Sequence, residues 1–308
     1  MTHHAIVVGL SREILTRKEK KYLAYYKPVG IILFQRNIAN KEQVKELIKS
    51  TKNIVGNKLL VLIDQEGGKV NRLNKKIWPI FPSASTFGRM AKNNLAKAKK
   101  ETFKNYQSIG FELNELGINV NCAPVLDLLY KNASSVIGSR AFSSNPKIVI
   151  ALAKEACKGL VKTKVLPIIK HIPGHGRAKL DSHLELPEVK VSHRQLAKDF
   201  STFKALKSLP AAMTAHIKYT AIDNNKPATL SKKIIYYIIR KEIGFEGVLF
   251  SDDICMKALK GPYYNRARNA ILAGCDVILH CDGNIENTIK STLGAGILKE
   301  KVAKKLKL

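Results

Sequence analysis

The chain of 308 residues has the composition of an ordinary globular protein, with 45% hydrophobic and 25% charged residues. This mixture excludes a disordered chain, a collagen-like repeat and a disulfide scaffold as the main state. No apolar run approaches the roughly 18 residues of a membrane helix, and residues 1–5 lack the basic and apolar regions of a secretory signal. Five cysteines without a C-x-x-C pair are typical of free thiols in a reducing cytosol. We therefore expect a cytoplasmic protein without structural zinc.

The net charge is strongly positive, because 53 lysines and arginines face 24 acidic residues and give +29. Such a charge can attract nucleic acid or an anionic membrane. The lysines, however, are spread along the whole chain, and arginine, the preferred reader of phosphates and bases, is scarce. The pattern favours a generally basic surface with no specific nucleic-acid partner and no membrane insertion. Nucleic-acid binding is kept as an alternative function.

In chain order, eight short apolar runs recur, each followed by a longer amphipathic stretch. Continuous apolar runs, unlike alternating ones, indicate strands that are buried on both faces. The predicted strands are residues 5–10, 30–34, 59–63, 118–123, 166–169, 211–215, 248–250 and 276–279.

Seven stretches have the apolar spacing of helices, and several begin with helix-start signals. Asn40 is a plausible N-cap, Pro146 suits a first helical turn, and Ser192 with Gln195 has the spacing of a capping box. The predicted helices are residues 41–53, 95–116, 146–161, 192–206, 231–242, 262–273 and 285–308.

Strands that alternate with helices predict βαβ units and a parallel sheet. Eight strands make an α/β fold of the (β/α)8 TIM-barrel type the leading interpretation, as one domain over residues 1–308. A doubly wound open sheet is the second. A barrel requires functional residues to follow the C-terminal ends of strands.

Ionisable residues follow six of the predicted strands, as the barrel requires. They are Asp64 and Glu66, Asp127, Lys170 and His171, His216, Asp252 and Asp253, and His280. Residues at corresponding strand ends of a barrel converge on one pocket.

The densest cluster contains three of the eight histidines within 13 residues, at positions 171, 175 and 183. Pro173, Gly174 and Gly176 forbid a regular helix here, so the histidines are not the helical metal pair of a metalloprotease. A metal site built from the loop residues His171, His175, Asp181 and His183 stays open as an alternative. A purely structural role of His175 also stays open.

Two further features favour acid–base and nucleophilic chemistry. Asp181 lies two residues from His183, and a carboxylate beside an imidazole orients the ring and favours its protonated form. Asp252 closes a buried strand, where it could act as a carboxylate nucleophile. Asp252 or Asp253 could instead cap a helix beginning at Ile254, and the spacing does not decide between them.

These motifs together resemble the family-3 glycoside hydrolases, in particular the single-domain β-N-acetylglucosaminidases of bacterial peptidoglycan recycling. KHIPGHG at residues 170–176, followed by DSHLELP at 181–187, is the most specific match. The remaining matches are GIILFQRN at 30–37, IDQEGGKVNRL at 63–73, APVLDL at 123–128, IGSRAF at 137–142, FSDDICM at 250–256 and AGCDVIL at 273–279.

The resemblance implies a retaining β-N-acetylhexosaminidase with Asp252 as nucleophile and His183, paired with Asp181, as general acid/base. It implies a muropeptide or another N-acetylglucosaminide as substrate, no metal and no cofactor, and we expect a monomer. The terminal N-acetylglucosamine would be held by Asp64, Arg72, Arg140, Lys170 and His171.

The sequence also departs from the family pattern. Lys69 replaces a usual arginine, and the segment between the last two histidines of the cluster is unusually basic at residues 177–180. A family-3 enzyme that acts on another β-linked sugar is an alternative. Within the favoured interpretation, the acetamido oxygen of the substrate is an alternative nucleophile.

Overall fold

The computed structural model describes residues 3–73 and 76–307. All eight predicted apolar runs form strands, and every pairing between the named strands is parallel. The strands in this part of the chain are β1 His4–Gly9, β2 Pro28–Leu33, β3 Leu60–Ile63, β4 Val120–Asn121, β5 Leu166–Pro167, β6 Ile169–Ile172, β7 Glu188–Val189, β8 Ala211–Thr214, β9 Lys218–Tyr219, β10 Val248–Asp253 and β11 Val277–His280.

The main sheet closes on itself into a barrel. Its strand order is β5-β4-β3-β2-β1-β11-β10-β8-β6. The two ends, β5 and β6, are consecutive parts of one chain run that are separated only by Ile168. β5 pairs with β4 on one side and β6 pairs with β8 on the other. This closure confirms the predicted (β/α)8 barrel, and the open-sheet alternative is wrong.

The helices cover the outside of the barrel. They are α1 Arg17–Tyr26, α2 Lys41–Val55, α3 Ala84–Asn93, α4 Leu95–Glu115, α5 Pro146–Lys162, α6 His193–Lys204, α7 Tyr263–Ala273, α8 Ile285–Ala295 and α9 Glu300–Leu306, together with a π-helix over Ile234–Glu242.

The strands are apolar on both faces because each face meets a different layer. Val7, Leu62 and Phe250 belong to the cluster that fills the barrel. Ile6, Val61 and Leu249, their neighbours along the chain, pack against the helices. Burial on both faces explains why the sequence has continuous apolar runs at the strands.

The helix-start signals are confirmed where they were assigned. The side chain of Asn40 accepts from Gln43 N–H at 2.9 Å at the start of α2. Ser192 and Gln195 form the capping box of α6. Two helices were not predicted, α1 and α3, although Thr16 and Glu19 form a capping box at the start of α1.

Two helix predictions need correction. Residues 285–308 were predicted as one helix, but α8 ends at Ala295 and is followed by Gly296, whose φ of +68° lies in the left-handed region. Ile297 then bridges to His4, and α9 begins afterwards; position 308 lies outside the described residues. Within the predicted helix 231–242, residues 234–242 are π-helical, and the following Ile243 N–H donates to Ile238 O, five residues back.

In the described part of the chain, no helix combines the length and apolar character needed to cross a bilayer.

Candidate active site

The strand ends surround a cavity of about 450 Å³. Each of the eight site residues predicted from the sequence lines it. They are Asp64, Arg72, Arg140, Lys170, His171, Asp181, His183 and Asp252. The structure therefore brings together residues that are up to 188 positions apart in the chain, from 64 to 252.

A network of alternating charges forms one part of the cavity wall. Lys170 Nζ lies 2.7 Å from Asp64 Oδ1 and 2.7 Å from Glu66 Oε1. Arg140 binds the same Glu66 carboxylate with two hydrogen bonds, from Nε at 2.9 Å and from Nη2 at 2.8 Å. Glu66 is thus a site residue that the sequence analysis placed at a strand end but did not select.

Burial and charge act in opposite directions on this network. Burial alone would raise the pKa of Glu66, but the charges of Arg140 and Lys170 and their hydrogen bonds outweigh it and lower the pKa well below the ordinary glutamate value. Burial would likewise lower the pKa of Lys170, whereas Asp64 and Glu66 raise it above the usual lysine range. Glu66 and Lys170 are therefore both charged at neutral pH.

Arg72 is held more loosely than Arg140. Its Nη2 lies 3.8 Å from Asp64 Oδ2, and its guanidinium lies 5.4 Å from the centre of the Phe34 ring. Its buried Nε has no hydrogen-bond partner among the residues that the structure describes. The Arg72 side chain as a whole is 31% exposed, so its terminal N–H groups keep donor capacity for a ligand.

The ring of His171 is held in place by Asp127, which follows β4. Nδ1 lies 2.7 Å from Asp127 Oδ2, so Nδ1 carries the proton that this carboxylate accepts. Nε2 lies 3.5 Å from Arg140 Nη2. Burial would raise the pKa of Asp127, but His171 and His175 lower it below the ordinary value. Asp127 was also noted at a strand end but not selected.

Asp252, at the end of β10, is nearly buried, with 9% exposure. Its Oδ1 accepts the backbone N–H of Asp253 at 2.8 Å. Burial would raise the pKa of Asp252, but the charges of His216 and His171, the Asp253 N–H and the Lys170 ammonium lower it. Burial in turn lowers the pKa of His216, whereas the Asp253 backbone N–H and the Lys170 ammonium lower the pKa of Asp252 without depending on the charge of His216.

The neighbouring Asp253 binds backbone N–H groups with its side chain. Its Oδ1 accepts the backbone N–H groups of Cys255 at 2.9 Å and Cys281 at 3.1 Å. Asp253 therefore holds backbone at the end of the barrel, although the segment after it forms turns and not the helix considered from the sequence. Burial raises the pKa of Asp253.

His183 lies at the rim of the cavity on the loop between β6 and β7. Its side chain is 61% exposed, and Nδ1 lies 2.7 Å from Asp181 Oδ1. The His183 backbone N–H donates to the same oxygen at 2.9 Å. Partial burial would raise the pKa of Asp181, but these two hydrogen bonds lower it. The ring is thus oriented by a charged carboxylate.

The histidine-loop residues considered as a metal site do not form a compact donor group. In the described part of the chain, the one set of three or more donors whose ligand atoms all lie within 4.8 Å is Cys255, His280 and Asp282. Both nitrogens of His280 already have partners there, since Nε2 lies 2.8 Å from Asp282 and Nδ1 lies 2.9 Å from Ser291.

Known proteins similar to this chain are glycoside hydrolases. The model of the glycosyl hydrolase family 3 N-terminal domain matches residues 7–306. A beta-hexosaminidase of Shewanella frigidimarina is 36% identical over 286 residues, which cover 91% of this chain and 82% of that protein. One of Neisseria gonorrhoeae is 39% identical over 277 residues, covering 87% and 75%. The structure of NagZ from Neisseria gonorrhoeae in complex with N-trifluoroacetyl-D-glucosamine matches with a TM-score of 0.91 and 33% identity, over 100% of this chain and 90% of that one. The chain therefore belongs to glycosyl hydrolase family 3 and is a glycoside hydrolase.

Proposed function

We propose that this hydrolase is an exo-acting, retaining β-N-acetylglucosaminidase. The observation that carries the proposal is the single cavity lined by a buried aspartate, a rim histidine paired with a carboxylate, and a ring of sugar-binding donors and acceptors. The names of the relatives, and the N-acetylglucosamine derivative bound to the similar structure, support this choice of sugar.

In the first step, Asp252 attacks the anomeric carbon and forms a glycosyl-enzyme. A nucleophile must be ionised, and the lowered pKa of Asp252 keeps its carboxylate charged at neutral pH. Because Asp253 N–H binds one oxygen of Asp252, the carboxylate has a fixed orientation while its other oxygen is left for the sugar.

The proton for the leaving oxygen comes from His183. Asp181 binds Nδ1 of the ring, so Nε2 is the nitrogen that can face the substrate. In the second step the neutral ring accepts a proton from water as that water attacks the glycosyl-enzyme. Neither step requires a metal ion or an organic cofactor, since the nucleophile and the proton donor are both side chains.

The sugar is held by the charged network of the cavity wall. Asp64 accepts hydrogen bonds from sugar hydroxyls, while Arg72, Arg140 and Lys170 donate to hydroxyl or amide oxygens. His171 presents Nε2 to the sugar, because its Nδ1 is bound to Asp127. Ion pairs already fix Arg140 and Lys170 before the substrate arrives. Binding therefore costs little conformational entropy of these two side chains.

We infer that the natural substrates are N-acetylglucosaminyl-β-1,4-anhydro-N-acetylmuramyl peptides, released during peptidoglycan recycling and cleaved in the cytoplasm by a monomeric, single-domain enzyme. The resemblance in the KHIPGHG and DSHLELP segments supports this substrate. The basic surface is compatible with an acidic peptide on the leaving group.

The most direct test is hydrolysis of a 4-nitrophenyl N-acetylglucosaminide, with the matching glucoside as control. We expect the wild type to cleave the first much faster than the second. Asp252→Ala should lose nearly all activity, whereas Asp282→Ala, which removes a carboxylate outside the cavity lining, should fold and retain it. Equal cleavage of both sugars would contradict the proposed specificity.

The identity of the nucleophile is tested separately by trapping. A 5-fluoro-N-acetylglucosaminyl fluoride keeps the acetamido group and slows the second step. We expect mass spectrometry of peptides to find the sugar on Asp252. Turnover without any protein adduct would instead favour the acetamido oxygen of the substrate as nucleophile.

A further inference from the structure

His175 lines the cavity on the first part of the loop that also carries His183, and the proposed mechanism leaves it unused. It is 3% exposed, and its ring packs against His171 with centroids 5.3 Å apart. Its backbone N–H donates to Asp127 Oδ1 at 2.6 Å, and the other oxygen of that carboxylate binds His171. His175 is therefore rigidly attached to the sugar-binding part of the cavity.

The ring of His175 reaches the loop at Ser182, the residue between Asp181 and His183. Nε2 lies 3.2 Å from Ser182 Oγ, and Ser182 is 2% exposed. Nδ1 is buried without a hydrogen-bond partner in the described chain. An unpaired lone pair at Nδ1 costs less than an unpaired N–H, so we assign the proton to Nε2, which donates to Ser182. Burial and the neighbouring His171 lower the pKa of His175 to about 4, so the ring is neutral at neutral pH.

The rest of this loop segment is attached to the barrel through backbone hydrogen bonds near 3.2 Å. Ala258 N–H donates to Ser182 O at 3.2 Å, and Lys257 N–H donates to His183 O at 3.3 Å. On either side of the Asp181–Ser182 pair, residues 179–180 and 183–185 are exposed. The hydrogen bond between the side chains of His175 and Ser182 is thus a buried contact that holds an otherwise largely exposed loop segment.

We propose that His175 is a positioning residue, which fixes the Asp181–His183 pair at the cavity rim through Ser182 and couples this loop to His171 through Asp127. This inference rests on the proposed acid/base role of His183. His175 itself transfers no proton to or from the substrate. Its loss should therefore weaken the steps that need His183 more than the steps that do not.

The test uses two substrates that differ in their need for a proton. A 2,4-dinitrophenyl N-acetylglucosaminide has a leaving group that departs unprotonated, whereas a 4-methoxyphenyl N-acetylglucosaminide needs the acid. We expect Ser182→Ala to lower the ratio of kcat/KM for the methoxyphenyl over the dinitrophenyl substrate by about tenfold. A general distortion of the cavity would lower both values and leave their ratio unchanged.

Further variants separate this contact from a folding defect. His175→Gln keeps a donor in place of the ring and should lower the same ratio, and the double variant with Ser182→Ala should be no worse than the more affected single variant. Ser201→Ala removes a hydroxyl on α6, away from the cavity, and is the matched control. Additive effects, or an unchanged ratio in Ser182→Ala, would overturn the inference.

His183→Ala distinguishes failure of this inference from failure of the proposed mechanism. If that variant lowers the ratio by about a hundredfold or more while Ser182→Ala does not change it, His183 is the acid and His175 does not position it. If His183→Ala leaves the ratio unchanged, the proposed acid/base role is itself wrong.

Discussion

Glu66 is the residue on which the charged wall of the cavity depends most. Its side chain is 5% exposed and contacts both Arg140 and Lys170 at 2.7–2.9 Å. Removing one partner from a buried ion network leaves uncompensated charge, which typically costs about 3–5 kcal/mol. We expect Glu66→Gln to lower the free energy of unfolding by about that amount, since a neutral amide would face two buried cations.

Urea unfolding of Glu66→Gln measures this effect, and kcat/KM for the N-acetylglucosaminide should fall with it as Arg140 and Lys170 lose their fixed positions. Glu300→Gln is the control, because Glu300 forms an ion pair whose side chains are 81% and 76% exposed. Exposed ion pairs of this kind contribute little to the free energy of unfolding. Equal stability changes in the two variants would contradict the assigned role of Glu66.

The lowered pKa of Glu66 sets the sign of a pH effect. The folded protein keeps this carboxylate charged below the ordinary glutamate value of about 4.3, so it binds fewer protons than the unfolded chain. The contribution of Glu66 to stability is therefore complete above about pH 4.3 and is lost as the pH falls further. We expect the difference in unfolding free energy between wild type and Glu66→Gln to be large at neutral pH and to shrink in acid. A difference that grows in acid would mean that folding raises the pKa of Glu66 and does not lower it.

Sequence reasoning located the polar residues at strand ends but could not assign partners among them. Lys170 and Asp64 are 106 positions apart, and His171 and Asp127 are 44 apart. Such contacts depend on which strands are adjacent in the closed barrel and on their register, which no local pattern contains. The contacts of Glu66 with Arg140 and Lys170, and of Asp127 with His171, therefore follow only from the folded barrel.

At the level of elements, the start signals at Asn40, Pro146 and Ser192 located their helices, whereas α1 was missed despite its capping box. Two other errors concern features that local sequence signals do not contain. The break after α8 depends on Gly296 and on the bridge from Ile297 to His4, which lies at the other end of the chain. The π-helix has the same apolar spacing over a few residues as an α-helix. Only its hydrogen bonds, such as that from Ile243 to Ile238, distinguish the two.

A close approach between α3 and the segment after Arg140 links helix packing to the cavity. A Cβ atom on Gly88 would lie 1.5 Å from the carbonyl oxygen of Phe142, two residues after Arg140. Because that neighbour is backbone, Gly88→Ala must displace either the helix or the segment, at a cost of typically about 1–3 kcal/mol for overpacking. We expect lower stability and a lower kcat/KM, measured by urea unfolding and hydrolysis of the N-acetylglucosaminide.

Gly296→Ala is the matched control for this prediction. No atom lies within 4 Å of a Cβ added there, so its cost comes only from the left-handed backbone and should be about 1–2 kcal/mol. Since Gly296 is not in the cavity, kcat/KM should stay near the wild-type value. If both variants lost stability without any loss of activity from Gly88→Ala, the packing of α3 would not control the position of Arg140.

For the whole molecule, the large positive charge is not concentrated in the cavity. Four cationic side chains line the cavity beside five carboxylates, so its wall is close to neutral while the chain carries +29. The cations are Lys69, Arg72, Arg140 and Lys170, and the carboxylates are Asp64, Glu66, Asp181, Asp252 and Asp253. The excess charge lies on the remaining surface, where it can attract an anionic substrate at long range but does not contact the bound sugar.

This separation predicts how activity responds to salt. Long-range attraction is screened within about 10 Å at an ionic strength of about 0.1 M, whereas the buried ion pairs of the cavity are screened much less. We expect the KM for the anionic disaccharide N-acetylglucosaminyl-anhydro-N-acetylmuramic acid to rise severalfold between low salt and about 0.3 M salt, with kcat unchanged. Its methyl ester has the same leaving group without the charge, and its KM should change little because the surface field does not act on a neutral molecule. If acid and ester responded equally to salt, the basic surface would have no part in substrate capture, and the charge would have to be explained by composition alone.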